Sequence, residues 1–193
     1  KHPNWKMGKK ISIDSATLMN KVFEVIEAHK LFGFSKKKYK ILIHPQSYVH
    51  SIIRFRNGLT KMILYNPDMK IPISNILYKK NNSLLKFDNM NVDNFNNMNF
   101  TKVNIKKYPS IKLIDKCLNA GPSAAILVNA SNEVLVDLFL RGKIGFLDIV
   151  KTINKIFNDK KFKKYAKRRI NSLKDITRAD NWARLKTKYM CVR

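Results

Sequence analysis

Residues 15–24 read Ser-Ala-Thr-Leu-Met-Asn-Lys-Val-Phe-Glu, and this stretch decides how the beginning of the chain is organised. It places a hydroxyl, a carboxamide, an ammonium and a carboxylate close together in sequence. On a helix, Asn20 and Glu24 lie one turn apart on the same face, with Lys21 about 100° round from Asn20. The three side chains are therefore predicted to border one polar pocket.

Ser15 does not fit that face of the helix, so we expect it in the last extended or capping residues before the helix. A serine hydroxyl and free backbone N–H groups at a helix start, backed by Lys21, would form a phosphate cradle. Glu24, one turn deeper, would hold a divalent metal beside a phosphorylated substrate. The alternative from spacing alone is an ordinary N-cap at Asp14 and Ser15 followed by solvated helix positions.

A loop precedes this helix and contains His2, Trp5 and Met7 between or beside Pro3 and Gly8. Aromatic and titratable side chains on a loop bounded by proline and glycine are typical of an active-site lid. We therefore predict that this loop closes over the polar pocket.

The longer run at residues 2–21, His-Pro-Asn-Trp-Lys-Met-Gly-Lys-Lys-Ile-Ser-Ile-Asp-Ser-Ala-Thr-Leu-Met-Asn-Lys, closely resembles the 1-deoxy-D-xylulose 5-phosphate reductoisomerase family. Later signatures of that family have counterparts here in the same order. They are Leu-Ile-His-Pro-Gln-Ser at 42–47, Pro-Asp-Met at 67–69, Tyr-Pro at 108–109 and Asn-Ala-Ser-Asn-Glu at 129–133. The resemblance covers most of the chain and is weak only across roughly 79–106.

The resemblance implies an NADPH-dependent enzyme of isoprenoid biosynthesis by the methylerythritol phosphate pathway, and a target of fosmidomycin. Such an enzyme isomerises 1-deoxy-D-xylulose 5-phosphate and reduces it to 2-C-methyl-D-erythritol 4-phosphate, using Mg²⁺ or Mn²⁺. The resemblance also implies a homodimer and an upstream NADPH-binding Rossmann domain. This chain contains no Gly-x-Gly-x-x-Gly fingerprint and begins at Lys1, so we expect a piece of a longer protein that is inactive by itself.

The resemblance also implies roles for individual residues. Glu24 is the implied metal ligand, and Glu24, Lys21 and His2 are the implied catalytic residues. Substrate binding, mainly at the phosphate end, is implied for His2, Trp5, Ser15, Asn20, Lys21, Glu24 and Ser47. Contact with the nicotinamide cofactor is implied for Met7, Gly8, Pro67 and Met69. Trp5 and Met7 would cover the site when the loop closes.

The expected fold class is α/β: an α+β part of the catalytic domain with a β-hairpin sheet, followed by an all-α helical bundle. We place the catalytic part at 1–78, an Asn-rich linker at 79–106 and the bundle at 107–193. The first part is predicted to contain a strand at 10–13, a helix at 16–31 and strands at 41–43, 48–56 and 59–64. Asn57 and Gly58 form the predicted hairpin turn. These strands are too apolar for an exposed sheet, which predicts cover by a helix or by another subunit.

The predicted bundle has four helices, at about 110–118, 122–142, 146–157 and 176–190, with a basic stretch at 160–169 between the last two. Asn129, Asn132 and Glu133 interrupt the apolar face of the second of these helices. They are read either as substrate contacts or as hydrogen bonds between packed helices.

The formal net charge is +26, which would ordinarily indicate a nucleic-acid or anionic-membrane partner. The lysines are scattered and alternate with asparagine, so we predict neither partner. A basic nucleic-acid-binding module is nevertheless the alternative function, and a purely structural or dimerisation fragment is a third. Two cysteines are too few for a disulfide framework, which favours a reducing compartment. The Lys/Asn-rich composition and the resemblance predict a plastid of the apicoplast type.

Overall fold

The computed structural model describes residues 7–78, 86–88 and 90–191, and the chain forms two compact units. One unit includes residues 41–103 and contains the strands. The other combines Met7–Lys40 with the described part of Asn104–Arg193 and contains most of the helices. This grouping differs from the linear division into 1–78, 79–106 and 107–193, because the first helices pack with the last ones.

The secondary structure is mostly helical. The helices are α1 (Lys9–Ala16), α2 (Met19–Phe32), α3 (Lys70–Leu77), α4 (Lys112–Ala120), α5 (Ala124–Leu140), α6 (Phe146–Phe157), α7 (Lys160–Ala166) and α8 (Leu173–Cys191). The strands are β1 (Leu42–Ile43), β2 (Val49–Arg54), β3 (Thr60–Leu64) and β4 (Thr101–Lys102). Short 3₁₀ turns lie at Lys36–Lys38, Val92–Phe95 and Pro109–Ile111. This composition confirms the predicted class of an α+β part followed by a helical bundle.

The predicted strand at 10–13 is wrong, because these residues belong to helix α1. Alternating Ile11 and Ile13 gave the segment the period of a strand, but its buried residue is Asp14, which faces the helical core. The predicted helix at 16–31 is interrupted after Ala16 and begins again at Met19. Its predicted end at residue 31 is close to the observed one, since α2 ends at Phe32 and Gly33 follows in a left-handed conformation with φ of 65°.

Helix α5 is the centre of the helical unit and contacts α1, α4, α6, α7 and α8. Buried side chains occur all round it rather than along one stripe, as expected of a central helix. Leu127 and Leu135 of α5 are fully buried, as are Leu113 of α4 and Met19 of α2. Burial also raises the pKa of the Cys117 thiol on α4 to about 12, so this cysteine behaves as a core residue.

The bundle contains a helix that the sequence did not reveal, so the predicted number of four is wrong. Residues 160–166 form α7 inside the predicted basic stretch at 160–169. Asp159 caps α7 by accepting hydrogen bonds from the Lys161 and Phe162 amides, and the Phe162 side chain is buried. The lysines on the exposed side concealed this short amphipathic pattern.

The predicted hairpin is confirmed in the other unit. Strands β2 and β3 pair antiparallel, from Arg54 opposite Thr60 to Val49 opposite Leu64, and Asn57 and Gly58 lie in the turn between them. Large apolar side chains of this hairpin are exposed: Ile53, Phe55, Leu59, Met62 and Ile63. Within this unit, the hairpin therefore leaves an apolar surface uncovered.

The segment predicted as a linker is only partly within the described residues, since 79–85 and 89 lie outside them. Its later part is attached to the strand unit. Strand β4 pairs antiparallel with β1. Phe100 stacks on His44 at a ring-centroid distance of 4.7 Å, and Gln46 donates to the Asn97 carbonyl. The end of the Asn-rich stretch is thus packed secondary structure.

Candidate substrate and metal site

Three of the candidate site residues meet on one exposed face at the start of α2. The Asn20 amide donates to Glu24 Oε1 at 2.7 Å, and the Lys21 ammonium donates to Glu24 Oε2 at 2.7 Å. The Lys21 and Glu24 side chains are 41% and 45% exposed, so a ligand can reach them. The predicted arrangement of amide, ammonium and carboxylate on one helix face is confirmed.

The predicted setting of Ser15 is wrong. Ser15 lies in the last turn of α1, and its carbonyl accepts a hydrogen bond from the Leu18 amide at 3.1 Å. It is therefore neither an extended residue nor a cap at a helix start. The N-cap of α1 is Gly8, and the N-cap of α2 is Leu18. Asn20 and Lys21, rather than Ser15, occupy the first turn of a helix.

The break between α1 and α2 is held by hydrogen bonds from buried polar residues. Thr17 is 5% exposed, and its hydroxyl hydrogen-bonds the carbonyls of Ile13 and Asp14. Ser110, fully buried in the 3₁₀ turn before α4, donates from its hydroxyl to the Thr17 carbonyl. Leu18 has φ of 57°, a left-handed conformation that is unusual for a residue other than glycine.

A buried carboxylate joins α1 to α5. Asp14 is 2% exposed; its Oδ1 accepts from Asn132 Nδ2 at 2.7 Å, and its Oδ2 accepts from Lys10 Nζ at 2.7 Å. This contact was not predicted, since Asp14 was read as a possible N-cap. The signal that could have revealed it is Asn132 on the apolar face of α5, which needs a polar partner from a neighbouring helix.

Asn129 and Glu133 of the 129–133 motif also bind within the bundle, whereas the buried Ser131 hydroxyl has no hydrogen-bond partner among the described residues. Asn129 donates to Glu133, and Glu133 pairs with Arg184 of α8 at 2.5 Å. Arg184 also pairs with Asp180, and hydrogen bonds from its guanidinium to both carboxylates raise its pKa above the ordinary value. Of the two interpretations left open by the sequence, hydrogen bonding between packed helices is the one observed.

Glu24 has suitable chemistry for one ligand of a divalent cation, because Mg²⁺ and Mn²⁺ prefer carboxylate oxygens. Its two oxygens accept hydrogen bonds from the neutral Asn20 amide and from the cationic Lys21 ammonium. Among residues 7–78, 86–88 and 90–191, no group of three or more metal-ligating side chains is present. The Glu24 carboxylate therefore fits one ligand position of such a cation.

The remaining candidates lie in different parts of the chain. Met7 is half-buried and Gly8 is exposed before α1, and no described residue lies within 4 Å of a Cβ built at Gly8. In the strand unit, Pro67 is half-buried, Met69 is 53% exposed at the start of α3, and Ser47 has φ of 60° in the turn after β1. The candidates His2 and Trp5 lie outside the described residues.

The helical unit presents amide, ammonium and carboxylate groups on one exposed helix face, a chemistry compatible with a polar, phosphorylated ligand. Two family models identify which domain this is. Residues 64–186 match the DXP reductoisomerase C-terminal domain, and residues 1–32 match the 1-deoxy-D-xylulose 5-phosphate reductoisomerase C-terminal domain. The chain belongs to the 1-deoxy-D-xylulose 5-phosphate reductoisomerase family, which confirms the resemblance seen in the sequence.

Curated relatives with this enzyme name come from bacteria. The Pelagibacter ubique protein is 42% identical over 192 residues, covering 100% of this chain and 50% of the relative. The Burkholderia vietnamiensis protein is 40% identical over 184 residues, covering 95% and 45%. The chain thus spans about half the length of the curated relatives it matches. Bacterial relatives lend no support to the predicted plastid location.

Solved structures show the same architecture. The Zymomonas mobilis reductoisomerase in complex with NADPH has a TM-score of 0.83 and 34% identity, covering 95% of this chain and 47% of that one. A crystal structure of the reductoisomerase in complex with NADPH, fosmidomycin and magnesium has a TM-score of 0.89 and 33% identity, covering 99% and 48%. In the described part of the chain, no helix is long and apolar enough to cross a membrane.

Proposed function

We propose that this chain supplies the substrate-binding and part of the metal-binding surface of a 1-deoxy-D-xylulose 5-phosphate reductoisomerase. The reaction is the NADPH-dependent conversion of 1-deoxy-D-xylulose 5-phosphate into 2-C-methyl-D-erythritol 4-phosphate. The observation that carries the proposal is the cluster of Asn20, Lys21 and Glu24, joined by hydrogen bonds of 2.7 Å on an exposed helix face.

The position of Lys21 favours an anionic ligand. Lys21 and Asn20 lie in the first turn of α2, which contains no acidic residue. The partial positive charge of a helix N-terminus makes a cation there unfavourable for the helix and makes an anion favourable. A phosphate group would be bound by the Lys21 ammonium and the Asn20 amide, and the Ser15 hydroxyl would donate a further hydrogen bond. Binding energy from the phosphate would then hold the reacting carbons in place.

Glu24 would hold a divalent cation. When bound, that cation would act as a Lewis acid on the carbonyl and hydroxyl oxygens of the substrate. The Asn20 and Lys21 donors fix the Glu24 carboxylate before any ligand binds, so the carboxylate needs little reordering. Lys21 has three ammonium donors and can contact both Glu24 and an anionic ligand.

The lid and the cofactor contacts complete the proposal. We assign His2 to substrate binding and proton transfer, and Trp5 and Met7 to the loop that covers the site. Gly8, Pro67 and Met69 are assigned to the nicotinamide side. Support comes from Gly8, where no described residue lies within 4 Å of a built Cβ, and from the exposed Met69 side chain, together with the NADPH in solved structures of relatives.

Three finer assignments accompany this function: Mn²⁺ as an alternative to Mg²⁺, a plastid location, and a homodimer. The homodimer is supported by the exposed Ile53, Phe55, Leu59, Met62 and Ile63 side chains of the β2–β3 hairpin. An apolar strand surface of this kind invites pairing with a second copy.

The test uses a hybrid in which this chain follows the part of the Pelagibacter ubique relative that it does not match. We expect the hybrid to oxidise NADPH when given 1-deoxy-D-xylulose 5-phosphate and Mg²⁺, and the 193-residue chain alone to give none. In the hybrid, Glu24→Gln should abolish activity, because it removes an anionic ligand, and should leave folding intact. Glu27→Gln, at an exposed position of the same helix, is the matched control.

Two outcomes would refute these assignments. Near-normal turnover by the Glu24→Gln hybrid would remove Glu24 from the metal site. Turnover by the 193-residue chain, with mass spectrometry excluding any longer polypeptide, would refute its role as one part of a larger active site.

A further inference from the structure

The conformation of Leu18 requires an explanation. A left-handed conformation with φ of 57° is disfavoured for a residue other than glycine and persists only where the surroundings enforce it. Leu18 lies between the last turn of α1 and the first turn of α2. It therefore separates Ser15 from Asn20, Lys21 and Glu24, the residues assigned above to one ligand.

Buried hydrogen bonds enforce the break on the Thr17 side. The Thr17 amide donates to the Ile13 carbonyl at 2.9 Å, and the Thr17 hydroxyl accepts from the Met19 amide at 3.4 Å. Ser110, from a segment 93 residues further along the chain, donates to the Thr17 carbonyl. In a continuous helix the Thr17 carbonyl would accept a hydrogen bond from the Lys21 amide, so the Ser110 hydroxyl takes the place of a helical donor.

The Asp14–Asn132 contact fixes α1 against α5 just before the break. Both side chains are buried, at 2% and 0% exposure, and their hydrogen bond is 2.7 Å long. Asn132 Oδ1 is buried without a hydrogen-bond partner among the described residues. A buried carboxylate and an unpaired amide oxygen both reduce stability relative to a well-packed apolar pair. The contact is therefore poorly explained by stability and well explained by the fixed geometry it imposes.

We propose that Asp14, Thr17, Ser110 and Asn132, here called the helix clasp, are positioning residues for the substrate site. The clasp fixes the angle between α1 and α2, and this angle sets where Ser15 lies relative to Asn20, Lys21 and Glu24. The clasp residues touch no substrate themselves. The proposal rests on the proposed function for the identity of the ligand, whereas the structural effect of the clasp is independent of it.

Asn132→Leu is the main test variant, because leucine has a similar size and removes the donor to Asp14. Val136→Ala, at a fully packed position one turn later in α5, is the control for general loss of stability. In the hybrid with Mg²⁺, we expect Asn132→Leu to weaken fosmidomycin binding about ten- to a hundredfold. Val136→Ala should change binding about twofold or less, because a substitution away from the ligand site is expected to act independently of ligand binding.

Amide hydrogen exchange in the 193-residue chain supplies a readout that needs no ligand. The amides of Thr17, Leu18 and Val22 donate to the carbonyls of Ile13, Ser15 and Leu18, on either side of the break. We expect Asn132→Leu to accelerate their exchange selectively, relative to amides in α6. Val136→Ala should accelerate exchange without this selectivity. If Asn132→Leu does not fold, Ser110→Ala replaces it as the test variant, because it removes only a hydroxyl. Ser110→Ala should produce the same selective acceleration of amide exchange.

The outcomes distinguish a failure of the helix clasp from a failure of the proposed function. Wild-type exchange at the three amides together with wild-type fosmidomycin binding in the Asn132→Leu variant would overturn the clasp. An equal loss of binding in Val136→Ala would also overturn it, because the effect would then be one of stability. A wild-type hybrid that does not bind fosmidomycin would instead refute the proposed function, and the exchange measurement alone would then decide on the clasp.

Discussion

Replacing Gly121 by alanine should destabilise the helical unit more than any comparable glycine substitution in the described chain. Gly121 ends α4 with φ of 134° and ψ of 175°, a conformation adopted almost only by glycine. A Cβ built there would lie 2.4 Å from the carbonyl oxygen of Ala166 and 2.9 Å from Lys167 Cα. Both atoms are backbone, so no side chain can rotate away.

The expected loss has two parts. The disfavoured backbone conformation costs about 1–3 kcal/mol. Forcing extra volume into packed structure costs about 1–3 kcal/mol more. The Ala166 carbonyl also accepts a hydrogen bond from the Ser123 amide at 3.1 Å, so moving it disturbs the start of α5. We therefore expect a total loss near 4 kcal/mol, a large share of the about 5–15 kcal/mol that stabilises a typical protein.

Gly142→Ala is the matched control. Gly142 has φ of 70°, and nothing lies within 4 Å of a Cβ built there. Only the backbone cost remains, about 1–2 kcal/mol. Urea unfolding followed by circular dichroism should show a midpoint about 2 M lower for Gly121→Ala and less than about 1 M lower for Gly142→Ala, for a slope near 2 kcal/mol/M. Equal shifts would show that the Ala166 contact plays no part.

Two further predictions concern one side chain in each of the two units. Hydrogen bonding to Lys186 holds the pKa of Asp159 below its ordinary value, so its stabilising contribution is present above a pH of about 4 and disappears as the pH falls through the lowered pKa. Asp159→Ala should cost about 1 kcal/mol at pH 7 and progressively less as the pH falls through the lowered pKa, and a loss independent of pH would contradict a stabilising role of the ionised carboxylate. In the hybrid, Ile63→Glu should dissociate a homodimer in light-scattering measurements, whereas Lys86→Glu, outside the hairpin, should not. An unchanged Ile63→Glu dimer of normal stability would exclude the hairpin from the interface.

Elements fixed by local chemistry could be predicted from the sequence. The Asn57–Gly58 turn specifies its hairpin because its residues tolerate the required backbone conformation. The Asn20–Glu24 pair could be placed because residues four apart always meet on a helix. Gly33 marks the end of α2 for a similar local reason. In each case, the deciding interaction spans only a few residues.

Elements fixed by distant partners could not be predicted. Residues 10–13 alternate like a strand, yet they are helical, and Asp14 beside them is buried against Asn132, 118 residues away. The break at Leu18 depends on Ser110, whose hydroxyl replaces a helical donor. The segment whose pattern predicts one continuous helix therefore forms two helices. The sequence contains these partners but does not show that they meet.

The same distinction explains why the candidate site lies where it does. Arg184, Glu133 and Asp180 join α5 to α8 through ion pairs that remain about one third exposed, so water lowers the cost of their charges. Asp14 and Asn132 join α5 to α1 with almost no exposure, where the cost of a buried charge is highest. Apolar side chains at those two positions would hold the helices together at least as strongly, but they could slide and rotate against each other. The single short hydrogen bond between Asp14 and Asn132 permits only one register of α1 against α5. That register places Ser15 on one side of the break and Asn20, Lys21 and Glu24 on the other.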